Sequence, residues 1–506
     1  MRVQVIRAAC AATLGLVTSG SAQQHDSHIT AIDAYAAKAR AEWNAPALAI
    51  AIVKNDSVVF AKGYGVLEKG KSKAADENTL FAIGSSSKAF TTASLAMLVD
   101  EGKLKWDDRA VDYLPGWQLS DPWMTREIRI RDLVTHRVGL ERADYIWEGT
   151  DYSRAEVLRR IRHVPVQEGF RLTYGYNNHM FLAAGTIVER VSGTTWDAFV
   201  RQRILTPLGM TRSNTSITAF GNDANVATPH QRDGDTAVVI QWKSLDNVAP
   251  AGAINSSVGE MAEWVRFQLA SGKWQGKQLV SERNMREMHS PQTVIPIGPW
   301  FSSLSPVNHQ MVPGTNFFMY GLGWFLQDYR GKKVVQHGGS IDGMRALVGM
   351  MPDEKLGFVV LTNLNPSSID EALMFRIFDE YLGGEKRDWS KDMLDRFRGV
   401  EQKGRDAIKA AETMRVPNTT PSLPLSGYAG TYSDSANGDA VVTEENGKLV
   451  LRLGVFTGDL EHWNYDTFVA HWRLPVPDRA IVTFRLDGSG RPAGLRTLGM
   501  AEFRRR

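Results

Sequence analysis

The chain of 506 residues is 43% hydrophobic and 23% charged with a formal net charge of +3, a balance that fits one large globular domain plus a smaller one. Its single cysteine excludes a disulfide framework, and no stretch approaches the ~20 uncharged apolar residues of a membrane-spanning helix. There is no basic run for nucleic acid and no histidine pair at metal-ligand spacing with a carboxylate partner, so no nucleic-acid partner, metal or cofactor is expected.

Residues 1–22 read as an export signal. Arg2 and Arg7 form a basic start, residues 8–18 a short apolar core, and Gly20-Ser21-Ala22 a small-residue cleavage site. Cleavage near Ala22 removes Cys10, and the expected destination is the periplasm or the medium, with no stable membrane anchor.

Residues 29–43 carry apolar side chains at helical spacing. Two apolar runs, 47–53 and 58–64, then flank Asn55-Asp56, which predicts a β-hairpin. An extended apolar lead-in follows, ends at Gly84, and gives way to a helical pattern running to Gly102. With the helix starting at Ser85, Ser85 and Lys88 lie one turn apart on one face. A serine hydroxyl is a weak nucleophile until a base takes its proton, and a lysine can do so only when burial or positive neighbours bring its pKa below the reference ~10.4. A helix N-terminus also offers free N–H groups to a developing oxyanion. This is the only Ser-x-x-Lys in the chain, although a capping serine followed by a solvated lysine has the same spacing.

Residues 104–114 mix loop and strand-like features. His136, before the Gly139 turn, offers a second base, but a histidine there more often satisfies backbone groups. Tyr176-Asn177-Asn178 precedes a helix predicted over 181–192. Tyr176 could be held as phenolate or relay a proton, and Asn178 could orient the lysine or a substrate carbonyl. The plainer reading makes Tyr176 the cap of an apolar cluster and Asn178 a turn residue, and Tyr174 competes for the first role.

Residues 207–241 are loop-rich and are expected to border a substrate cleft. Residues 250–257 precede an amphipathic helix, and 320–324 are expected to open a strand in which alternating glycines admit a close neighbour. Three strand-like segments (334–340, 346–351 and 357–363) predict an antiparallel sheet. Gly338 and Gly339 after His337 would let the backbone approach a substrate, with the Ser340 N–H as an oxyanion donor; a β-bulge beside a surface histidine fits the same residues. A helix over 368–382, a charged helical stretch over 388–414 and a Pro/Ser/Thr linker over 417–424 follow. Residues 425–506 alternate strands and turns, with Asn446-Gly447 a strong hairpin signal.

Together Ser85/Lys88, Tyr176/Asn178 and His337-Gly338-Gly339 resemble the penicillin-binding-protein and class C β-lactamase superfamily of serine hydrolases, over roughly residues 30–385. Weaker matches at 81–90, 133–140, 185–193 and 320–324 agree with it. The resemblance implies an α/β (α+β) fold, an antiparallel sheet flanked by helices with an all-helical lobe and the site between them. It implies domains at 29–385 and 425–506, joined by a helical segment and linker over 386–424, the second resembling a small lipocalin-like barrel.

The implied chemistry is acyl transfer to Ser85, with Lys88 as base, Tyr176 as relay and Asn178 orienting them. His337 would contact substrate or Tyr176, and the N–H groups of Ser85 and Ser340, beside Gly338 and Gly339, would form the oxyanion hole. Two departures stand out. His337 replaces the lysine that β-lactamases carry in the third motif, and Arg137-Val138 replace the family's Thr-Ser pair before Gly139-Leu140. A histidine carries charge only below about pH 6.5, so the pattern favours a peptidase or esterase acting on a small molecule or peptide over a β-lactamase. A penicillin-binding sensor of cell-wall fragments, which acylates without turnover, is the alternative from another class. Oligomeric state is not legible.

Overall fold

The computed structural model describes residues 27–297, 315–473, 479–500 and 502–506. The export signal expected at 1–22 lies outside them. Helix α1 (Ser27–Glu42) leads into the hairpin β1 (Ala47–Lys54) and β2 (Ser57–Gly65), whose turn residues Asn55 and Asp56 both take left-handed φ values, 51° and 62°. Successive side chains of a strand point to opposite faces. In β1, Ala47, Ala49, Ala51 and Val53 accordingly enter one core, while Leu48, Ile50 and Ile52 enter another. Both faces are covered, which is why the strand reads as an unbroken apolar run.

Six further strands complete the sheet: β3 (Thr293–Ile295), β4 (Phe318–Tyr320), β5 (Phe325–Tyr329), β6 (Lys332–Ile341), β7 (Met344–Met351) and β8 (Leu356–Thr362). Their order is β2-β1-β8-β7-β6-β5-β4-β3, antiparallel throughout. The face bearing Ala49 packs on the helical lobe through α2 (Lys88–Asp100), α3 (Asn178–Ser192) and α4 (Val258–Leu269). The opposite face packs on α1, α5 (Ile369–Leu382) and α6 (Trp389–Thr413). Every residue of α2 from Lys88 to Leu98 is buried, the polar Lys88, Thr91, Thr92 and Ser94 included.

Several expectations are corrected. The helix does not begin at Ser85: Gly84–Ser87 form a 3₁₀ turn and α2 begins at Lys88, while α3 begins at Asn178, three residues early, capped by the Asn177 side chain. Residues 104–114 hold no strand, only loop, one isolated β-bridge from Arg109 to Arg129 and the single helical turn Ala110–Tyr113. Residues 320–324 close a hairpin between β4 and β5 instead of opening a strand. There Gly323 sits at φ 78°, and a methyl on Gly321 would come 2.5 Å from the Met288 carbonyl oxygen.

The last eight strands, from Gly430–Asp434 to Phe503–Arg505, form a closed antiparallel barrel, the first pairing with the last. Asn446 and Gly447, at φ 53° and 74°, make the tight turn their sequence announces. The barrel rests on the helical lobe: the Val455 N–H donates to the Gly149 carbonyl at 2.8 Å, and Arg160 donates to the Ala436 carbonyl at 3.1 Å. Among the described residues no helix is long and apolar enough to cross a membrane.

Candidate active site

Between Phe81 and Leu98, Ser85 alone is not buried. Its two serine neighbours hold it in place. Ser86 Oγ donates to the His337 carbonyl of β6 at 2.9 Å, and Ser87 Oγ accepts from the Ile254 N–H at 3.1 Å. Gly84 and Gly339 allow the turn to press against β6. A methyl on Gly339 would fall 1.8 Å from the Ile83 carbonyl oxygen and 3.1 Å from Ser85 N, and one on Gly84 would fall 3.0 Å from Ser340 N. The backbone nitrogens of Ser85 and Ser340 therefore border the same narrow gap.

Lys88 is wholly buried, and its Nζ has three neighbours: Ser85 Oγ at 2.9 Å, Asn178 Oδ1 at 2.8 Å and the Ala251 carbonyl oxygen at 2.8 Å. Burial pushes its pKa well below the ordinary lysine value; Asp144 works against this and Arg142 adds to it. A neutral amine has two N–H groups and one lone pair. The Asn178 and Ala251 oxygens can only accept, so they take the two N–H groups and leave the lone pair to the Ser85 hydroxyl. The orientation of Asn178 follows from its other end, where Nδ2 donates to Asp144 Oδ1 at 3.0 Å.

The Tyr176 hydroxyl donates to Ser85 Oγ at 2.6 Å. Burial raises the phenol's pKa more than the Ser85 hydrogen bond and Arg142 lower it, which favours a phenol over a phenolate in the resting site. Tyr174 is buried against His136, Tyr320 and Phe325, and it is the Tyr176 hydroxyl that reaches the serine. His136, at φ 54°, serves the backbone: its Nδ1 accepts from the Asn177 N–H at 3.1 Å and its carbonyl from the Gly175 N–H at 2.7 Å.

His337 differs from the expected contact with substrate or Tyr176. It is 1% exposed. Its Nδ1 faces the Gly338 carbonyl oxygen at 2.6 Å, and its Nε2 faces the Tyr320 hydroxyl at 2.9 Å. A carbonyl cannot donate, so Nδ1 carries the hydrogen and Nε2 accepts from Tyr320. Burial, with Lys88 adding to it, pushes the His337 pKa down to about 3. Arg137 pairs with Asp132 at 2.7 Å, and Val138 is buried in the core.

Ser85 opens onto a cavity of about 170 Å³, lined among others by Asp144, Trp147, Asn178, Lys243, Ser340 and Asn365. Arg142, Asp144, Lys243 and the Ala251 carbonyl were missed in the sequence. They stand in loops or in single helical turns (Asp144–Ile146 and Ala249–Gly252) too short to show a period, and of the loop expected to border the cleft, 207–241, none lines this cavity. Asp144 accepts from Asn178 and from Trp147 Nε1 at 2.9 Å and pairs with Arg142 at 2.5 Å. Burial opposes its charge, but Arg142 above all outweighs this and holds its pKa below the usual carboxylate value.

An antiparallel sheet and a helical lobe that bring a serine, a buried lysine and a tyrosine together define the class of β-lactamase-like serine hydrolases. The chain belongs to the Beta-lactamase family, whose model matches residues 32–379, and a "domain of unknown function" (DUF3471) matches 414–505. It is 27% identical over 431 residues to the unguisins hydrolase ungD of Aspergillus violaceofuscus, covering 80% of this chain and 75% of that protein. Among solved structures it is similar to the octameric penicillin-binding protein homologue from Pyrococcus abyssi, with TM-score 0.60, 20% identity, and 94% and 99% of the two chains covered. It is also similar to the D-amino acid amidase from Ochrobactrum anthropi SV3, with TM-score 0.58, 17% identity, and 74% and 100% covered.

Proposed function

We propose that the protein hydrolyses amide or ester bonds of a small molecule or peptide through an acyl-enzyme on Ser85, and that it is exported. The observation that carries this reading is the Ser85 hydroxyl held between the Lys88 amine at 2.9 Å and the Tyr176 hydroxyl at 2.6 Å, with burial pushing the Lys88 pKa well below its ordinary value. Ser85 Oγ attacks the substrate carbonyl carbon while its proton passes to Lys88. The oxyanion forms against the Ser85 and Ser340 N–H groups. Collapse breaks the scissile bond, Tyr176 protonates the leaving group, and the proton taken up by Lys88 restores the Tyr176 phenol. Water then cleaves the ester by the same steps reversed.

The uncharged third-motif histidine supports an amidase, peptidase or esterase over a β-lactamase. The names of two similar proteins support the reading, an unguisins hydrolase for hydrolysis and a D-amino acid amidase for amide chemistry. The test is one chromogenic panel of a short-chain nitrophenyl ester, D- and L-alanyl nitroanilides and a cephalosporin, with Ser85→Ala as control. We expect turnover of the ester or anilides and its loss in Ser85→Ala. A variant that hydrolyses every substrate at the wild-type rate overturns the mechanism. Fast cephalosporin turnover makes the protein a β-lactamase, and a stable adduct without product makes it a sensor. Sequencing the mature N-terminus checks export, with cleavage near Ala22 expected.

A further inference from the structure

The cavity beside Ser85 contains five charged side chains: Arg142, Asp144, Glu148, Lys243 and Asp342. Neither cation is left free. Arg142 pairs with Asp144 at 2.5 Å, and Lys243 Nζ lies 2.7 Å from Glu148 Oε1 and 3.0 Å from Asp342 Oδ2. Lys243 bridges two walls of the cleft. Glu148 stands on the lobe loop that carries Asp144, while Asp342 stands at the β6–β7 turn, two residues past Ser340. Burial opposes the Lys243 charge, but the two carboxylates outweigh it and raise its pKa above the usual lysine value. Two cations and three carboxylates leave the wall with one net negative charge. Lys243 engages one oxygen of each carboxylate, so the second oxygen of Glu148 and of Asp342 is not held by it. A substrate carboxylate that approached Lys243 would meet two like charges about 3 Å from the ammonium. The third-motif side chain, His337, is buried and bonded to Tyr320.

We propose that the Glu148–Lys243–Asp342 bridge sets the charge preference of the site, admitting acyl donors with a free ammonium and rejecting those that carry a carboxylate in its place. This rests on Ser85 being the nucleophile. Peptides or amides with an unblocked N-terminus are the class it selects, and N-acylated diacid derivatives are the class it excludes.

The test compares kcat/KM for D-alanyl nitroanilide, its N-succinyl derivative and a neutral nitrophenyl acetate. It uses wild type, Glu148→Gln/Asp342→Asn and Lys243→Met. The wild type should prefer the ammonium substrate over the succinylated one by at least about tenfold, which corresponds to about 1.4 kcal/mol. The double variant frees Lys243 and should shift that ratio at least about tenfold toward the carboxylate. Lys243→Met, which makes the wall more negative, should shift it the other way. If the double variant does not fold, the wild-type ratio should still narrow at high salt, where partly exposed charges are screened. A ratio constant within about twofold across folded variants and salt, with the neutral ester cleaved, overturns the proposal. Should the wild type cleave none of the three, the Ser85 reading itself falls and takes the bridge with it.

Discussion

Burial pushes the Lys88 pKa well below its ordinary value in a place with no carboxylate in direct contact, and that has a thermodynamic signature. The unfolded chain binds a proton at Lys88 up to its ordinary pKa, whereas the folded chain releases it well below 10.5. Between these two values the unfolded state holds one more proton, so folding stability rises with pH. Against Lys88→Met, which cannot titrate, wild-type stability should gain about 1.4 kcal/mol per pH unit across that window. Denaturant melts at several pH values check this, and parallel curves would mean that Lys88 is charged in the fold. Tyr176→Phe removes the proton donor and should lower kcat by about 10²–10⁴ with little change in KM. Asp144 pulls the Lys88 pKa upward, so Asp144→Asn should move the acid limb of kcat/KM to lower pH. A merely structural Asp144 would lower the rate without moving the limb. Ser85, Lys88 and Tyr176 were legible because each stands in a motif that occurs once. Asp144 and Lys243 were not, because their partners come from segments distant in the chain, Asn178 in one case and Asp342 in the other.

At the scale of elements, the site depends on how closely β6 and the 3₁₀ turn approach. The sequence announced the pair of glycines but placed Ser85 in the first turn of an α-helix. The tighter turn arises because Ser86 and Ser87 commit their hydroxyls to β6 and Ile254, tying two consecutive residues to fixed neighbours. Gly339→Ala would drive a methyl into the Ile83 carbonyl, 1.8 Å away, with backbone on both sides and little room to give. We expect a loss of about 1–3 kcal/mol or more and a collapse of kcat, measured by thermal melting and ester hydrolysis. A neutral substitution would show that the strand can withdraw without cost. Strands β1, β2 and β6 to β8 were legible as apolar runs and α4 to α6 from their helical period, whereas β3 and β4, three residues each, left no pattern to read. Residues 104–114 were not, because a one-turn helix leaves no period to read.

For the whole molecule, the barrel was legible from its turns, above all Asn446-Gly447, but its docking site was not. The contact is made by backbone, Val455 to Gly149, and by glycines at close approach, which leave no pattern in composition. Gly149 lies one residue past Glu148 and five past Asp144, so the barrel braces the loop that supports Asn178. Gly454→Val would push a side chain toward the Gly149 carbonyl oxygen, where even a methyl carbon falls at 2.2 Å. Faster amide exchange across residues 141–152 and a lower kcat are the expected results, whereas unchanged exchange would separate barrel and site.

The pairing of β1 with β8 joins Leu48 to Thr362, and the turn bearing Ser85 is tied to His337. Contacts so far apart in sequence form slowly, because a long loop must close before any of them contributes. During synthesis the N-terminal hairpin must wait for almost three hundred residues before its partner strand exists. The barrel, built from neighbouring strands and closed within its own segment, has no such wait. The barrel is thus suited to fold quickly once its own strands are made, whereas the nucleophile acquires its surroundings only once β6 and β8 have been made. A chain stalled before β8 would hold the serine and the lysine without the sheet that brings them to work.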